Sequence, residues 1–540
     1  MSAESADGRI PSARRGGADV EADTFTAFAF RSIVPGCVAT ILIAVGAFGV
    51  GWLPINTALL EIPVVDAMRS TTLGAVICKG AIVIGVALLF QAWLLLGHDV
   101  MKGSIRDIRR LWITLVAWSV PLVLAPPLFS RDVYSYFAQG KLMVAGIDPY
   151  THGSSSVPGW FNDGVDPLWA ETPTPYGQFF LLLSRGVAQF AGPHPYTAAL
   201  AFRVLALVGV ALMAWGVPKL AGAGGINPIK ALWLGVLNPL VLMHFVSGAH
   251  NDALMIGLIV SGLVLAVEHR ALLGSACIAL ASSVKPIGLL ALPFVGLIWA
   301  GPASSWSKRW QRWIIVGAVA VAILIGLTLV TGTGFGWVRA LSTPGAVRTW
   351  LSPPTAIAMA IGAVLNWFGL DITDTLVTIC RLIGTLVGLV VVGWLVLKPE
   401  GRTPIRGCAL ALLALVVLGP VVQPWYMLWC LALFAASGLS RIELRITLLL
   451  ITGFTLHGLV TSSATQDSLV HVSDGLAVLG VAAVMGIVLA VSPRERKLML
   501  GESEDFGLQP EDAPSSARYR LLTMRRPGSE LPSAPKPNSD

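Results

Sequence analysis

Apolar runs long enough to cross a hydrocarbon core of about 30 Å recur along this chain, separated by short polar segments. They lie near 33–53, 73–96, 111–127, 195–218, 231–247, 252–267, 272–284, 286–301, 314–331, 376–397, 407–422, 425–438, 445–461 and 474–491. Several are short, so the pattern predicts an all-α polytopic integral membrane protein with about 12–15 transmembrane helices. Alternating segments of about ten residues, the mark of a membrane β-barrel, do not occur. Residues 1–30 and 492–540 are polar, with mixed charge or many Pro and Ser, and read as disordered tails around a transmembrane domain at 31–491.

Composition agrees. Of the 540 residues 55% are hydrophobic and 12% are charged, against about 25% charged in soluble domains. The net charge of +7 calls for no nucleic acid, because cytoplasmic loops of membrane proteins carry excess Lys and Arg. The basic residues fall into groups: Lys102, Arg106, Arg109 and Arg110; Lys219 and Lys230; Lys308, Arg309 and Arg312; Lys398, Arg402 and Arg406; Arg441 and Arg445; Arg494, Arg496 and Lys497. All lie on the side of the N-terminus if 176–192 and 355–370 do not span. Those two runs are then amphipathic or re-entrant helices on the opposite face, an assignment chosen to satisfy the charge rule. Both tails come out cytoplasmic, and the opposite face receives two large loops, 128–194 and 332–375, rich in Trp, Tyr, Pro, Gly and acids. The six cysteines sit in or beside apolar runs, without a CxxC pair or zinc spacing, and read as helix-packing side chains.

Polar motifs gather at the outer ends of the runs. "SRDVYSYF" carries Arg131, Asp132, Tyr134 and Tyr136, and "SGAHNDALM" carries His250, Asn251 and Asp252. "SSVKPIGLLALP" carries Lys285, and "VVQPWYMLW" carries Gln423, Trp425 and Tyr426. Asp148, Asp163, Asp166, Glu171, Arg339 and Arg348 lie in the two loops. Singly each has a plain alternative: a solvated loop acid, a helix cap at Asn251 or Asp252, a snorkelling lysine or an interfacial aromatic anchor. Together they predict one aqueous site with an acid, a few cations and aromatic surfaces for sugar. Such a site suits a lipid-linked sugar phosphate, with cations binding phosphate and an acid taking a proton from an incoming hydroxyl. No P-loop and no GxGxxG with a following acid is present, and no cofactor or metal is expected.

"SRDVYSYFAQGKLMVAGIDPY" resembles the first large outer loop of the GT-C superfamily of integral-membrane glycosyltransferases, where an Asp follows a transmembrane helix. With "TPTPYGQFF", "LNPLVLMHFVSGAHNDALM" and "VVQPWYMLW", the chain resembles the α-(1→6)-mannopyranosyltransferases of mycobacteria and corynebacteria over roughly 30–495. The forms "GAHNDALM" and "SVKPIGLL" look closer to the kind that builds the proximal part of the lipomannan core. The resemblance implies a GT-C helix bundle in the plasma membrane with an extracytoplasmic site. It implies polyprenyl-phosphate mannose as donor and the mannan of a phosphatidylinositol-anchored glycolipid as acceptor, joined α-1,6 with inversion. Asp132 matches the superfamily's loop aspartate and takes the role of general base. By extension Lys285, His250 and Arg131 would meet the donor phosphate. Tyr134, Tyr136, Asn251, Asp252, Gln423, Trp425 and Tyr426 would line the substrate groove. The loop lacks the paired Asp-Glu of some relatives, which disfavours a metal-dependent variant.

Two other readings compete. A transporter or flippase of a lipid-linked intermediate predicts charges near the bilayer midplane and an internal repeat. Arg203 and Arg381 are the main mid-run charges, and no repeat is visible. A non-catalytic subunit of envelope machinery would not require the Asp132 loop.

Overall fold

The computed structural model of the chain describes residues 25–339, 343–463 and 493–501. Its regular elements are helical, and no strand occurs among the described residues. Among the described residues six helices are long and apolar enough to cross a membrane: Phe25–Val50, Thr72–Met101, Pro195–Ala223, Trp306–Thr331, Thr373–Leu397 and Arg441–Leu459. A seventh candidate is broken, with Val241–Ser247 and Asp252–Val267 meeting at 109°. The chain is an all-α polytopic membrane protein, as its apolar pattern predicts.

Full-length spans are nonetheless fewer than apolar runs. Ala271–Ser282, Pro286–Ala300, Pro353–Asn366, Pro404–Leu418 and Pro424–Ser437 are apolar but short. At 1.5 Å per residue a helix of such length reaches only about 20 Å. The expected run at 111–127 becomes Arg109–Val123, with Pro121 inside it. A run of apolar residues looks the same in sequence whether its backbone is continuous or interrupted. Gln178–Ala191 and Pro353–Asn366 are likewise shorter than a full span. The expected span at 474–491 and tail residues 1–24 and 502–540 lie outside the described residues. Helix already begins at Phe25, and Pro493–Leu500 is helical with Leu498 buried, so these residues do not belong to the unstructured tails expected over 1–30 and 492–540.

Local chemistry sets the helix starts. Thr71 accepts from Gly74 N, Asn227 from Ile229 N and Lys230 N, and Ser305 from Lys308 N, each occupying a backbone donor that a helix N-terminus leaves open. In the core, Trp93 and Trp233 stack and each donates its indole N–H to the other's backbone carbonyl, at 3.3 and 3.0 Å. The Pro195–Ala223 and Asp252–Val267 helices approach so closely that a Cβ at Gly209 would lie 2.2 Å from the Ala253 carbonyl carbon. Small residues permit this backbone contact in a membrane, where dispersion and shape complementarity drive helix association.

Cross-chain bonds separate the two ends of the bundle. At one end the loops rich in Lys and Arg meet: Arg31 pairs with Asp99 at 2.8 Å, Lys219 with Glu268 at 3.0 Å, Arg309 with Glu400 at 3.6 Å, and Arg406 with Glu443. At the other end Gly177 N donates to Val284 O, Ser352 to Gly419 O and Thr355 to Pro420 O. The polar motifs singled out above belong to this second set of tips.

Candidate active site

The site is built on the broken span. Pro239 has no N–H to continue the preceding helix. Asn238 bridges the gap, donating to Leu234 O at 2.9 Å and accepting from Val241 N at 3.1 Å. Val241–Ser247 then winds as a π-helix, a form often found at functional positions. Ala249 holds φ at 52° and Phe129, at the entry to the Asp132 segment, at 66°. Left-handed backbone in residues with a side chain costs about 1–3 kcal/mol and persists where the surroundings enforce it.

Arg203 anchors the backbone a few residues before each of these positions. Its guanidinium is fully buried and donates to four carbonyls: Val246 O at 2.9 Å, Ser247 O at 2.8 Å, Val123 O at 2.5 Å and Ala125 O at 2.8 Å. The first pair ends the π-helix and the second ends the Arg109–Val123 helix, so one cation ties two carbonyl-rich, electronegative termini together.

Beyond the break, Asp252 opens its helix and is fully buried. Lys285 donates to its two oxygens at 2.7 and 2.8 Å, and Trp429 Nε1 donates to Oδ1 at 2.6 Å. The Lys285 ammonium lies 5.6, 5.3 and 5.5 Å from the ring centroids of Tyr176, Tyr426 and Trp429. Tyr426 stacks on Trp429 at 3.9 Å, and Trp425 stacks on His250 at 3.8 Å. Lys285 thus turns inward, where a snorkelling lysine would turn out, and Trp425 is a wall of the site.

Asp132 is the first residue of the Asp132–Val144 helix, its backbone N–H donating to Ser130 Oγ. Its carboxylate is 21% exposed and lies 3.7 Å from His250 Nδ1. Burial pushes its pKa up to about 6; Asp166 and Asp252 add to the rise, while Lys285 and a hydrogen bond from Trp169 oppose it. Arg131 donates to Asp166 at 2.9 Å and lies over the Trp52 ring at 4.4 Å. Tyr134 donates to Trp52 O at 2.8 Å, and Tyr136 packs edge-on against Tyr176, Phe180 and Phe202.

The structure therefore brings Asp132, His250, Asn251, Asp252, Lys285, Trp425 and Tyr426 into one neighbourhood. Gln423 is half-buried at the start of the turn that carries Trp425 and Tyr426. Arg131 is engaged with Asp166, and Tyr134 and Tyr136 are fully buried, packed under the site. Asn251 stands at the N-cap of its helix, but its side chain makes no capping bond. Its amide atoms, both ring nitrogens of His244 and His250, Ser247 Oγ and Trp425 Nε1 are buried without a hydrogen-bond partner. Buried polar atoms are ordinarily paired, and a polyhydroxylated ligand supplies partners of both kinds. Among the described residues no three His, Cys, Asp or Glu side chains are grouped as a metal site. Sequence reasoning passed over Trp429, Tyr176, His244 and Trp169. Trp429 and Tyr176 stand inside quoted motifs, but only the fold shows that their rings converge on Lys285.

Comparison with known proteins gives matching results. Residues 33–301 match the family described as α-(1→6)-mannopyranosyltransferase, N-terminal domain, and residues 354–491 match the MptB C-terminal domain. A probable α-(1→6)-mannopyranosyltransferase of Mycolicibacterium smegmatis is 33% identical over 90% of this chain and 92% of its own length. An α-(1→6)-mannopyranosyltransferase of Mycobacterium tuberculosis is 33% identical over 88% of this chain and 89% of its own. The same organism's α-(1→6)-mannopyranosyltransferase A is 35% identical over 75% and 80%.

Proposed function

Since the chain belongs to the family of α-(1→6)-mannopyranosyltransferases, we propose that it transfers mannose from polyprenyl-phosphate mannose to an α-1,6-mannan chain. The acceptor is the lipomannan and lipoarabinomannan core anchored on phosphatidylinositol, and the anomeric carbon is inverted. The observation that carries this reading is the pairing, at one end of the bundle, of an acid with pKa raised to about 6 and a lysine held by a buried carboxylate.

In this reading Asp132 accepts the proton of the acceptor's 6-hydroxyl as its oxygen attacks C1 of the donor mannose. The C1–O bond to phosphate breaks, and polyprenyl phosphate departs with the electron pair. Lys285 meets the negative charge that grows on the leaving phosphate, with His250 beside it, while Arg131 would reach the phosphate only by leaving Asp166. Trp425, Tyr426, Asn251 and Gln423 face the sugar, and Tyr134 and Tyr136 support the floor. Arg203 and Arg381, the charges that a transporter would place along a passage, are instead spent on protein oxygens. Arg381 donates to Thr355 Oγ1, Gly345 O and Val347 O.

Purified protein given polyprenyl-phosphate mannose and short α-1,6-mannosides should yield a product extended by an α-1,6 linkage, read by linkage analysis. Absence of transfer with active-site residues intact would overturn the reading. Lys285→Ala should lose one charge-assisted bond of about 1.5–3 kcal/mol, or about 10–150-fold in kcat/KM for the donor. Wild-type donor kinetics would remove Lys285 from the phosphate site.

The site is proposed to face away from the cytoplasm of the plasma membrane. Cysteine at the exposed Ser156 should react with an impermeant reagent in intact cells, and cysteine at the exposed Ala303 should not. Ser154, two residues earlier, is buried and unsuited to labelling. The reverse pattern would invert the topology.

A further inference from the structure

We propose that Asp252 and Trp429 are positioning residues that hold the Lys285 ammonium so that a fixed carboxylate and the donor phosphate share it. The inference rests on the reading of Lys285 as a phosphate-binding group. Asp252 is fully buried, whereas the Lys285 side chain is 12% exposed, so the lysine stands between the acid and anything entering the site. An ammonium has three N–H donors and no acceptor. Two are directed at Asp252 Oδ1 and Oδ2, which leaves one for a ligand.

The aromatic side chains around the cation take no hydrogen bond from it, and the nearby carboxylate of Asp132 acts on it at longer range. Tyr176, Tyr426 and Trp429 present ring faces that favour a cation without taking a hydrogen bond from it. A lysine stem has four rotatable carbons, and bonding both carboxylate oxygens removes that freedom before the donor arrives. Trp429 fixes the carboxylate in its turn through Oδ1. The close backbone approach of Gly209 to Ala253 fixes the start of the helix that Asp252 opens. The chain of support thus runs from helix packing to carboxylate to ammonium.

The test compares Asp252→Asn, Lys285→Gln and Trp429→Phe in the purified full chain with polyprenyl-phosphate mannose, reading kcat, donor KM and the pH profile. The groups facing Asp132 are His250 from the helix break, Lys285, Asp252, Asp166, Trp169 and the tyrosines Tyr136, Tyr176 and Tyr426, with Arg131 adjoining. Asn at 252 keeps the shape and an acceptor oxygen, so the fold is retained. Its kcat should fall by up to about 10²-fold, the scale of an ångström-sized misplacement. Donor KM should not rise, because the released ammonium still attracts phosphate in the ground state. The acid limb of the profile should move to lower pH, since a negative neighbour of Asp132 is gone. Lys285→Gln should raise donor KM and move the acid limb to higher pH. Trp429→Phe changes no charge and should lower kcat with the limb unmoved. Asp252→Asn with wild-type kcat, beside a defective Lys285→Gln, would overturn this inference alone. Lowered kcat with an unmoved acid limb in Asp252→Asn would reduce Asp252 to a structural residue and overturn it as well. A Lys285→Gln protein with wild-type donor KM would overturn the phosphate reading and this inference with it.

Discussion

Asp132→Asn is expected to lower turnover about 10²–10⁴-fold, the contribution of a general base, while the protein folds and binds donor normally. A sugar hydroxyl is a poor nucleophile at neutral pH, and the help must come from a base within hydrogen-bond reach. Asp132 has the required attributes together: the first turn of a helix holds its backbone, and its carboxylate is partly open to the site. Its pKa is pushed up to about 6 by burial. A base works in its deprotonated form, so kcat/KM should be level above that pH and fall with each unit below it, tenfold in the limit. Kinetics across pH 4.5–8 with the wild type, and turnover of Asp132→Asn at neutral pH, check both parts. Turnover within a few-fold of wild type would sink the assignment. The other acids offer less. Asp148 accepts from Tyr150 N in its own turn, Asp166 is paired with Arg131, and Asp252 is buried behind Lys285.

Arg203→Met should be the most damaging change to stability. It leaves carbonyls of Val123, Ala125, Val246 and Ser247 without their donor. A buried acceptor left unpaired costs about 1–3 kcal/mol. Relaxation recovers part of that for four neighbours, so the loss should fall near the 3–5 kcal/mol typical of breaking a buried ionic arrangement. Arg203→Lys retains the charge, yet a single ammonium cannot reproduce a fork that reaches two helix ends at once. It should recover little. Thermal unfolding in detergent, with yield after purification, reads the effect. An unchanged midpoint for Arg203→Met would show that the helix ends are held by something else.

Much of this was legible in the sequence, and the residues show where legibility stopped. The apolar runs announced the fold class because burial in lipid leaves few backbone solutions. They overstated the continuous spans, since an Asn238–Pro239 break or a π-turn barely alters apolar content. Asp132, His250 and Lys285 stood out as polar residues at the ends of apolar runs. That Lys285 would lean on Asp252 was hidden by a separation of 33 residues, and Trp429 is 177 residues from the acid that it bonds. No periodicity spans such distances. Arg203 was visible as a charge in an apolar run, but its partners are backbone carbonyls, which every residue has and none advertises.

The grip of Arg203 also has a consequence for how the protein is made. A chain enters the bilayer in the order of its synthesis, and an arginine within a span costs about 2.5–3.5 kcal/mol at insertion. The Pro195–Ala223 helix is long and apolar enough to cross the membrane and outweighs that cost with its own apolar residues. When it arrives, the carbonyls of Val123 and Ala125 already exist, whereas those of Val246 and Ser247 have yet to be translated. The guanidinium therefore enters the membrane with half of its ligands and waits for the rest. The bend that carries His250 and Asp252 is locked only when that wait ends. The end of the bundle that carries the candidate site is a late product of membrane assembly, and a chain halted before residue 246 keeps an arginine in search of partners.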